Sequence, residues 1–164
     1  MKWFNILALT LFTTAAFAST TTVKMYNTAK TGQGSSVGTV TFTDTKMGLL
    51  IAPHLTQLPP GLHGFHLHVG TSCSDMGMAA MGHLDPNKTD KHLGPYNTNG
   101  HLGDLPALYV DQKGVADLTT IAPRLTVKDI TGHTLMIHAG GDNYSDTPEK
   151  LGGGGARVAC GVIQ

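Results

Sequence analysis

The sequence predicts an all-β fold, a Greek-key β-sandwich or flattened barrel of about eight antiparallel strands with two long functional loops. Three observations carry this expectation. Short runs rich in β-branched residues alternate apolar with polar positions, as half-buried strands do. Glycine, at 21 of 164 residues, joins proline and aspartate in punctuating those runs. Helical periodicity is scarce, and two stretches, Gly70 to Asp104 and Gly140 to Gly155, are too irregular for strands.

The chain opens with a segment set apart from the fold. Met1-Lys2 is a short basic start, Ile6 to Phe17 is mostly apolar or small, and Ala16-Phe17-Ala18 has the small-x-small form of a cleavage site. Residues 1–18 read as a secretory signal peptide, removed on export. A membrane anchor is the weaker reading, because the apolar run falls short of the ~20 residues a bilayer needs. Residues 19–164 then suit one domain of roughly 100–150 residues. Strands are expected at Thr20 to Tyr26, Val37 to Thr43, Gly48 to Ala52, Gly64 to Val69, Ala107 to Val110, Val115 to Thr120, Thr134 to Ala139 and Arg157 to Ile163. Asp111-Gln-Lys-Gly114 reads as a hairpin turn.

Eleven basic against eleven acidic residues leave no net charge, which argues against a nucleic-acid partner. No later segment is apolar enough to span a membrane. The two cysteines, Cys73 and Cys160, most simply form one disulfide in an exported chain. Metal ligation by them is the competing reading, disfavoured by export and by the supply of histidines.

Nine histidines are present, and six fall in a pattern that suits metal. His66 and His68 lie two apart on an expected strand, so their rings share one face while Phe65 and Leu67 face the core. His138, on another apolar strand, supplies a third ring. His83, His92, His101 and Asp104 come from the first long loop, and three imidazoles with one carboxylate make the closed set of a structural zinc site. His83 is close enough to the first cluster to serve both metals as a bridging imidazolate. His54, His63 and His133 are expected to pack or face solvent, with His63 pointing away from the first set by strand parity. Lys88 and Lys91 are expected at the solvated surface. Met76, Met78 and Met81 raise copper capture by thioethers, with gap-filling packing the preferred reading.

Six motifs run in register along the chain. They are Gly61-Leu-His-Gly-Phe-His-Leu-His68, Gly82-His-Leu-Asp-Pro86, Lys91-His-Leu-Gly-Pro-Tyr96, Gly100-His-Leu-Gly-Asp-Leu-Pro106, His138-Ala-Gly-Gly-Asp-Asn143 and Gly152 to Ile163. With them the chain resembles the secreted bacterial copper,zinc superoxide dismutases. The resemblance implies one copper per chain on His66, His68, His83 and His138, and one zinc on His83, His92, His101 and Asp104. It implies that Asp142 accepts hydrogen bonds from His66 and His92, and that Arg157 attracts and holds superoxide beside the copper. It places a Cys73–Cys160 bridge between the long loop and the last strand. The implied reaction is disproportionation of superoxide to oxygen and hydrogen peroxide, with His83 supplying a proton. The implied setting is the periplasm, as monomer or homodimer. A non-catalytic copper/zinc-binding or copper-trafficking protein on the same fold is the alternative, since fold does not fix function. Such a carrier needs neither the zinc set nor Arg157. The chain departs from its relatives in two places: Met81 stands where glycine is usual, and the stretch from Cys73 to Ala79 is short and lacks lysine.

Overall fold

The computed structural model describes residues 18–164. The expected leader, residues 1–18, lies outside the described residues but for Ala18. Among the described residues nine strands form: β1 (Thr20–Ala29), β2 (Gly32–Thr45), β3 (Gly48–Leu55), β4 (Gly61–His63), β5 (Phe65–His68), β6 (Leu108–Val110), β7 (Thr120–Ala122), β8 (Thr134–His138) and β9 (Arg157–Val162). One short helix, α1 (Val127–Ile130), lies between β7 and β8. Seven strands make one antiparallel sheet in the order β5-β8-β9-β1-β2-β3-β7, and β4 pairs with β6 in a second.

Period-2 patterning builds the long strands. Val23, Met25, Val40 and Phe42 are buried on one face of the β1–β2 ribbon, while Thr20 faces Thr43 and Thr22 faces Thr41 on the other. Those threonine hydroxyls pair at 3.2 and 3.0 Å, a cross-strand contact that fixes register. Gly38 must be glycine: its φ is 126°, and a Cβ would collide with the His54 carbonyl on β3. The sheet curls round a core of Phe42, Ile51, Phe65, Leu67, Leu105, Leu135 and Ile137, all buried.

One expected strand does not form, and β4 lies outside the expected runs. The strand predicted from Gly64 to Val69 forms as β5, and β4, which precedes the predicted run, is divided from it at Gly64. There the chain turns to bond elsewhere, the Gly64 N–H donating to Gly140 and its carbonyl accepting from His138. The run Val115 to Thr120 is not a strand, because Asp117, Leu118 and Thr119 are all exposed and no alternating buried face exists. Ala116 makes one bridge to Leu55, and pairing resumes only in β7. The described residues thus hold nine strands, in keeping with the expected total of about eight. The turn at Asp111–Gly114 forms as expected, with Asp111 accepting the Gly114 N–H and Gly114 at φ 79°.

The two irregular stretches are long connections, one between β5 and β6 and one between β8 and β9. The first bonds back to β5, the Leu67 N–H donating to Gly103, and the second folds on itself just past β8, the Ala139 N–H donating to Ala156. The Cys73–Cys160 disulfide, with Cα atoms 5.9 Å apart, ties the first connection to β9.

Candidate metal centre

β5 lies next to β8 in the sheet, with Phe65 opposite Ile137 and His66 opposite Met136. Phe65 and Leu67 fill the core, and His66 and His68 share the other face, both fully buried. The first long connection returns to β5 twice. The Val69 N–H donates to Gly82 and the Leu84 N–H to Leu67, which sets His83 opposite His68. Farther along, the Leu67 N–H donates to Gly103 and the Leu105 N–H to Phe65, which sets Asp104 opposite His66. Backbone pairing thus carries loop residues into fixed places beside the strand.

Two donor sets result, and one residue belongs to both. Nitrogens of His66, His68, His83 and His138 lie within 4.8 Å of one another, as do donor atoms of His83, His92, His101 and Asp104. All seven residues are buried. Each outer ring nitrogen in the first set is committed to the protein. His66 Nε2 faces Asp142 Oδ2 at 2.8 Å, His68 Nδ1 donates to the Met81 carbonyl at 2.8 Å, and His138 Nδ1 to Gly155 at 3.2 Å. Their other nitrogens turn inward, His68 Nε2 lying 3.4 Å from His138 Nε2.

In the second set, Asp104 Oδ1 lies 3.1 Å from His83 Nδ1, 3.0 Å from His92 Nδ1 and 3.5 Å from His101 Nδ1. A tetrahedral ion with bonds of about 2.0 Å separates its donors by about 3.3 Å. Spacings of 3.0 to 3.5 Å suit the donors of a tetrahedral ion, and the two shortest suit hydrogen bonds as well. His66 Nδ1, His92 Nδ1 and His101 Nδ1 are buried without a hydrogen-bond partner, which leaves them free as ligand atoms. Asp142 joins the two sets from outside, its second oxygen facing His92 Nε2 at 2.7 Å and also accepting the Tyr144 N–H at 2.8 Å. Gly152 (φ 74°) packs against that carboxylate so closely that any Cβ would strike it.

Electrostatics divide the sets. Burial lowers His66 to about 3, His68 to about 2 and His138 to about 4, with neighbouring imidazoles adding to the effect. Burial also lowers His83, against the pull of Asp104. These rings are neutral, the form that binds metal. Burial opposes charge on His92 as well, but Asp104 and Asp142 together outweigh it and raise His92 to about 9. Burial alone would raise Asp104 and Asp142; their histidine partners instead hold both well below the usual carboxylate range.

A cleft of about 240 Å³ opens over the first set, lined by His68, His83, His138, Arg157 and Lys150. Arg157, across from His138 at the start of β9, donates to the Gly77 and Met81 carbonyls. Ion pairs among the described residues all join histidine to Asp104 or Asp142, so no carboxylate neutralises Arg157.

Of the other expectations, His63 is buried away from both sets, bonding His138 and Pro59 carbonyls at 2.8 and 2.7 Å. His54 is exposed, and His133 half-buried. Lys88 and Lys91 are at the surface. The methionine expectation fails: Met76, Met78 and Met81 are 51%, 58% and 61% exposed and fill no gap. Two residues escaped the sequence reading. Lys150 adds a second cation to the cleft, and its place just before the glycine run was the available signal. Arg124 donates to the carbonyls of Gly94, Pro95, Gly100 and His101, bracing the second set's loop. Nothing in its local sequence marks that role.

Residues 36–163 match the family model of copper/zinc superoxide dismutase. The chain is 52% identical over 154 residues to the Cu-Zn superoxide dismutase of Legionella pneumophila, covering 94% of this chain and 93% of that one. It is similar in structure to the Cu/Zn superoxide dismutase of Brucella abortus, with TM-score 0.84 and 48% identity over 89% of this chain and 100% of that one. The monomeric copper, zinc superoxide dismutase of Salmonella enterica gives TM-score 0.78 at 48% identity, covering 89% and 100%.

Proposed function

Since this chain belongs to the copper/zinc superoxide dismutase family, we propose that it disproportionates superoxide, two superoxide anions and two protons giving oxygen and hydrogen peroxide. One observation carries the reading: two complete donor sets share the single imidazole of His83. His66, His68, His83 and His138 would hold one copper, and His83, His92, His101 and Asp104 one zinc. Copper supplies the one-electron cycle between its two oxidation states, and zinc, which has none, holds the loop.

The chain's own residues do the rest. The cleft admits a small anion and leads it to the faces of His68, His83 and His138. Arg157 is its anchor, a fixed cation whose guanidinium is oriented by two carbonyls and left without a carboxylate. With Lys150 it makes the cleft positive, and such a field raises encounter rates by about 10–10³-fold at low salt. His83 is the proton carrier. Its Nδ1 faces Asp104, so Nε2, on the cleft side, is the atom that takes a proton and gives it to the product. Asp142 positions His66 and His92 at once.

Every one of these residues comes from one chain, so the chemistry runs in a monomer as in a homodimer. The leader, residues 1–18, directs the enzyme to the periplasm, where the disulfide is stable. The test is dismutation by the purified mature protein, with copper and zinc measured on the same sample. Fast turnover with one of each metal per chain is expected. Full loading without turnover refutes the enzyme and leaves copper carriage.

A further inference from the structure

The loop between Cys73 and His83 faces inward with Cys73, Gly77 and Ala80, all buried. Of its exposed positions, where polar residues are the norm, three hold thioethers, beside Asp75 and Gly82. Three of the chain's seven methionines fall at 76, 78 and 81. They are not the random exposure of a loose loop. Consecutive turns fix the segment, the Gly77 N–H donating to Cys73, Met78 to Asp75, Ala80 to Gly77 and Met81 to Met78. The disulfide and the two carbonyl contacts of Arg157 pin it again. Met78 opens a short 3₁₀ turn and Met81 caps it, so the two thioethers stand at the two ends of one rigid turn. Met78 also lines the cleft that holds His68, His83 and His138.

We propose that Met76, Met78 and Met81 form a soft-metal site on the lip of the cleft, which first holds monovalent copper and passes it to the imidazoles below. This rests on the copper reading of the His66, His68, His83 and His138 set. The chemistry favours the direction. Thioethers select Cu(I), whereas imidazole accepts copper in either state, so a thioether lip captures the reduced ion and a four-imidazole set retains it. The hand-over exchanges sulfur for nitrogen ligands and moves no electron.

Silver(I) is the probe for the lip, being a thioether-binding ion without redox chemistry. It is titrated into the copper- and zinc-loaded protein, whose imidazoles are already occupied, with methionine methyl groups followed by NMR. The expected result is that the methyls of Met76, Met78 and Met81 shift together and saturate near one silver per chain. Met47, which is 68% exposed and far along the chain in the turn after β2, is the internal control and stays still. A parallel shift of Met47, or separate midpoints for the three, overturns the site. The second arm replaces all three by leucine and follows copper(I) uptake by the zinc-loaded, copper-free protein at limiting copper. Uptake is expected to slow about tenfold or more with the same final occupancy, as an intramolecular hand-over is lost. Equal rates overturn the hand-over. If the unsubstituted protein never fills its imidazole set, the copper reading itself fails, and the silver titration still reports on the lip.

Discussion

Met81 occupies a backbone conformation that suits glycine. Its φ is 66° and its ψ −144°, close to a region used almost only by glycine and costing other residues about 1–3 kcal/mol. The strain persists because the Met81 carbonyl is held by both His68 Nδ1 and Arg157, so relaxing the backbone would release a proposed copper ligand and the anion anchor together. Substitution by glycine alone would mix this strain with the loss of a side chain. The pair Met81→Gly and Met81→Ala removes that ambiguity, since both delete the thioether and only alanine keeps the strain. At an ordinary position glycine is less stable than alanine by about 0.5–1 kcal/mol. Here relief of the strain exceeds that penalty, and Met81→Gly is expected to be more stable than Met81→Ala by about 1 kcal/mol. The assay is urea unfolding of both variants, metal-free with the disulfide intact. If alanine equals or exceeds glycine, the backbone at 81 is not strained and the reasoning is wrong.

Arg157→Ala is expected to lower kcat/KM by about 10–100-fold and flatten its salt dependence while both metals stay bound, because a guiding cation acts on encounter. Stopped-flow dismutation across ionic strength, with metal analysis, checks this. Asp142→Asn leaves both His66 and His92 without their carboxylate, and metal affinity should fall about 10–100-fold in competition titrations. Zinc uptake should depend on pH. With His92 raised to about 9 in the metal-free protein, its proton stabilises that fold fully below the ordinary value of 6.5 and is lost as pH rises through about 9. Zinc must displace this proton, so apparent zinc affinity should climb between pH 6.5 and 9, and a flat profile would show that His92 is not charged there.

Legibility in the sequence followed one physical rule: a periodic signal survives wherever one face is buried against a common core. β1, β2 and β3 obey it, and their alternation shows through plainly. The parity of His66 and His68 against Phe65 and Leu67 is the same signal, so two of the seven proposed ligands could be read from strand geometry alone. The segment 115–120 looked β-rich by composition, but residues 117–119 are exposed in succession and have nothing to pack on. The convergence of His83 and Asp104 onto β5 depends on backbone hydrogen bonds, which leave no trace in side-chain pattern. Motif resemblance supplied what periodicity could not. Arg124 shows the limit of both, because its partners are four carbonyls and any sequence offers carbonyls. The methionines differ for the opposite reason: apolar character does not ensure burial in a short loop whose inward places are already filled by Cys73, Gly77 and Ala80.

The bonds around the two donor sets explain why the site tolerates so much buried polarity. His66 Nδ1, His92 Nδ1 and His101 Nδ1 lack partners, and a buried unsatisfied group costs about 1–3 kcal/mol. Left alone, three such atoms would favour opening the loop to water. Yet the outer nitrogens of His66 and His92 are locked to Asp142, Asp146 accepts the backbone N–H groups of His92 and Leu151, and Arg124 grips the segment from 94 to 101. Collapse around the gap is therefore resisted on every side. The inward atoms are held apart at ligand spacing by bonds that face away from the metals, so the cost of assembling the site is borne in folding and the metals meet donors already placed.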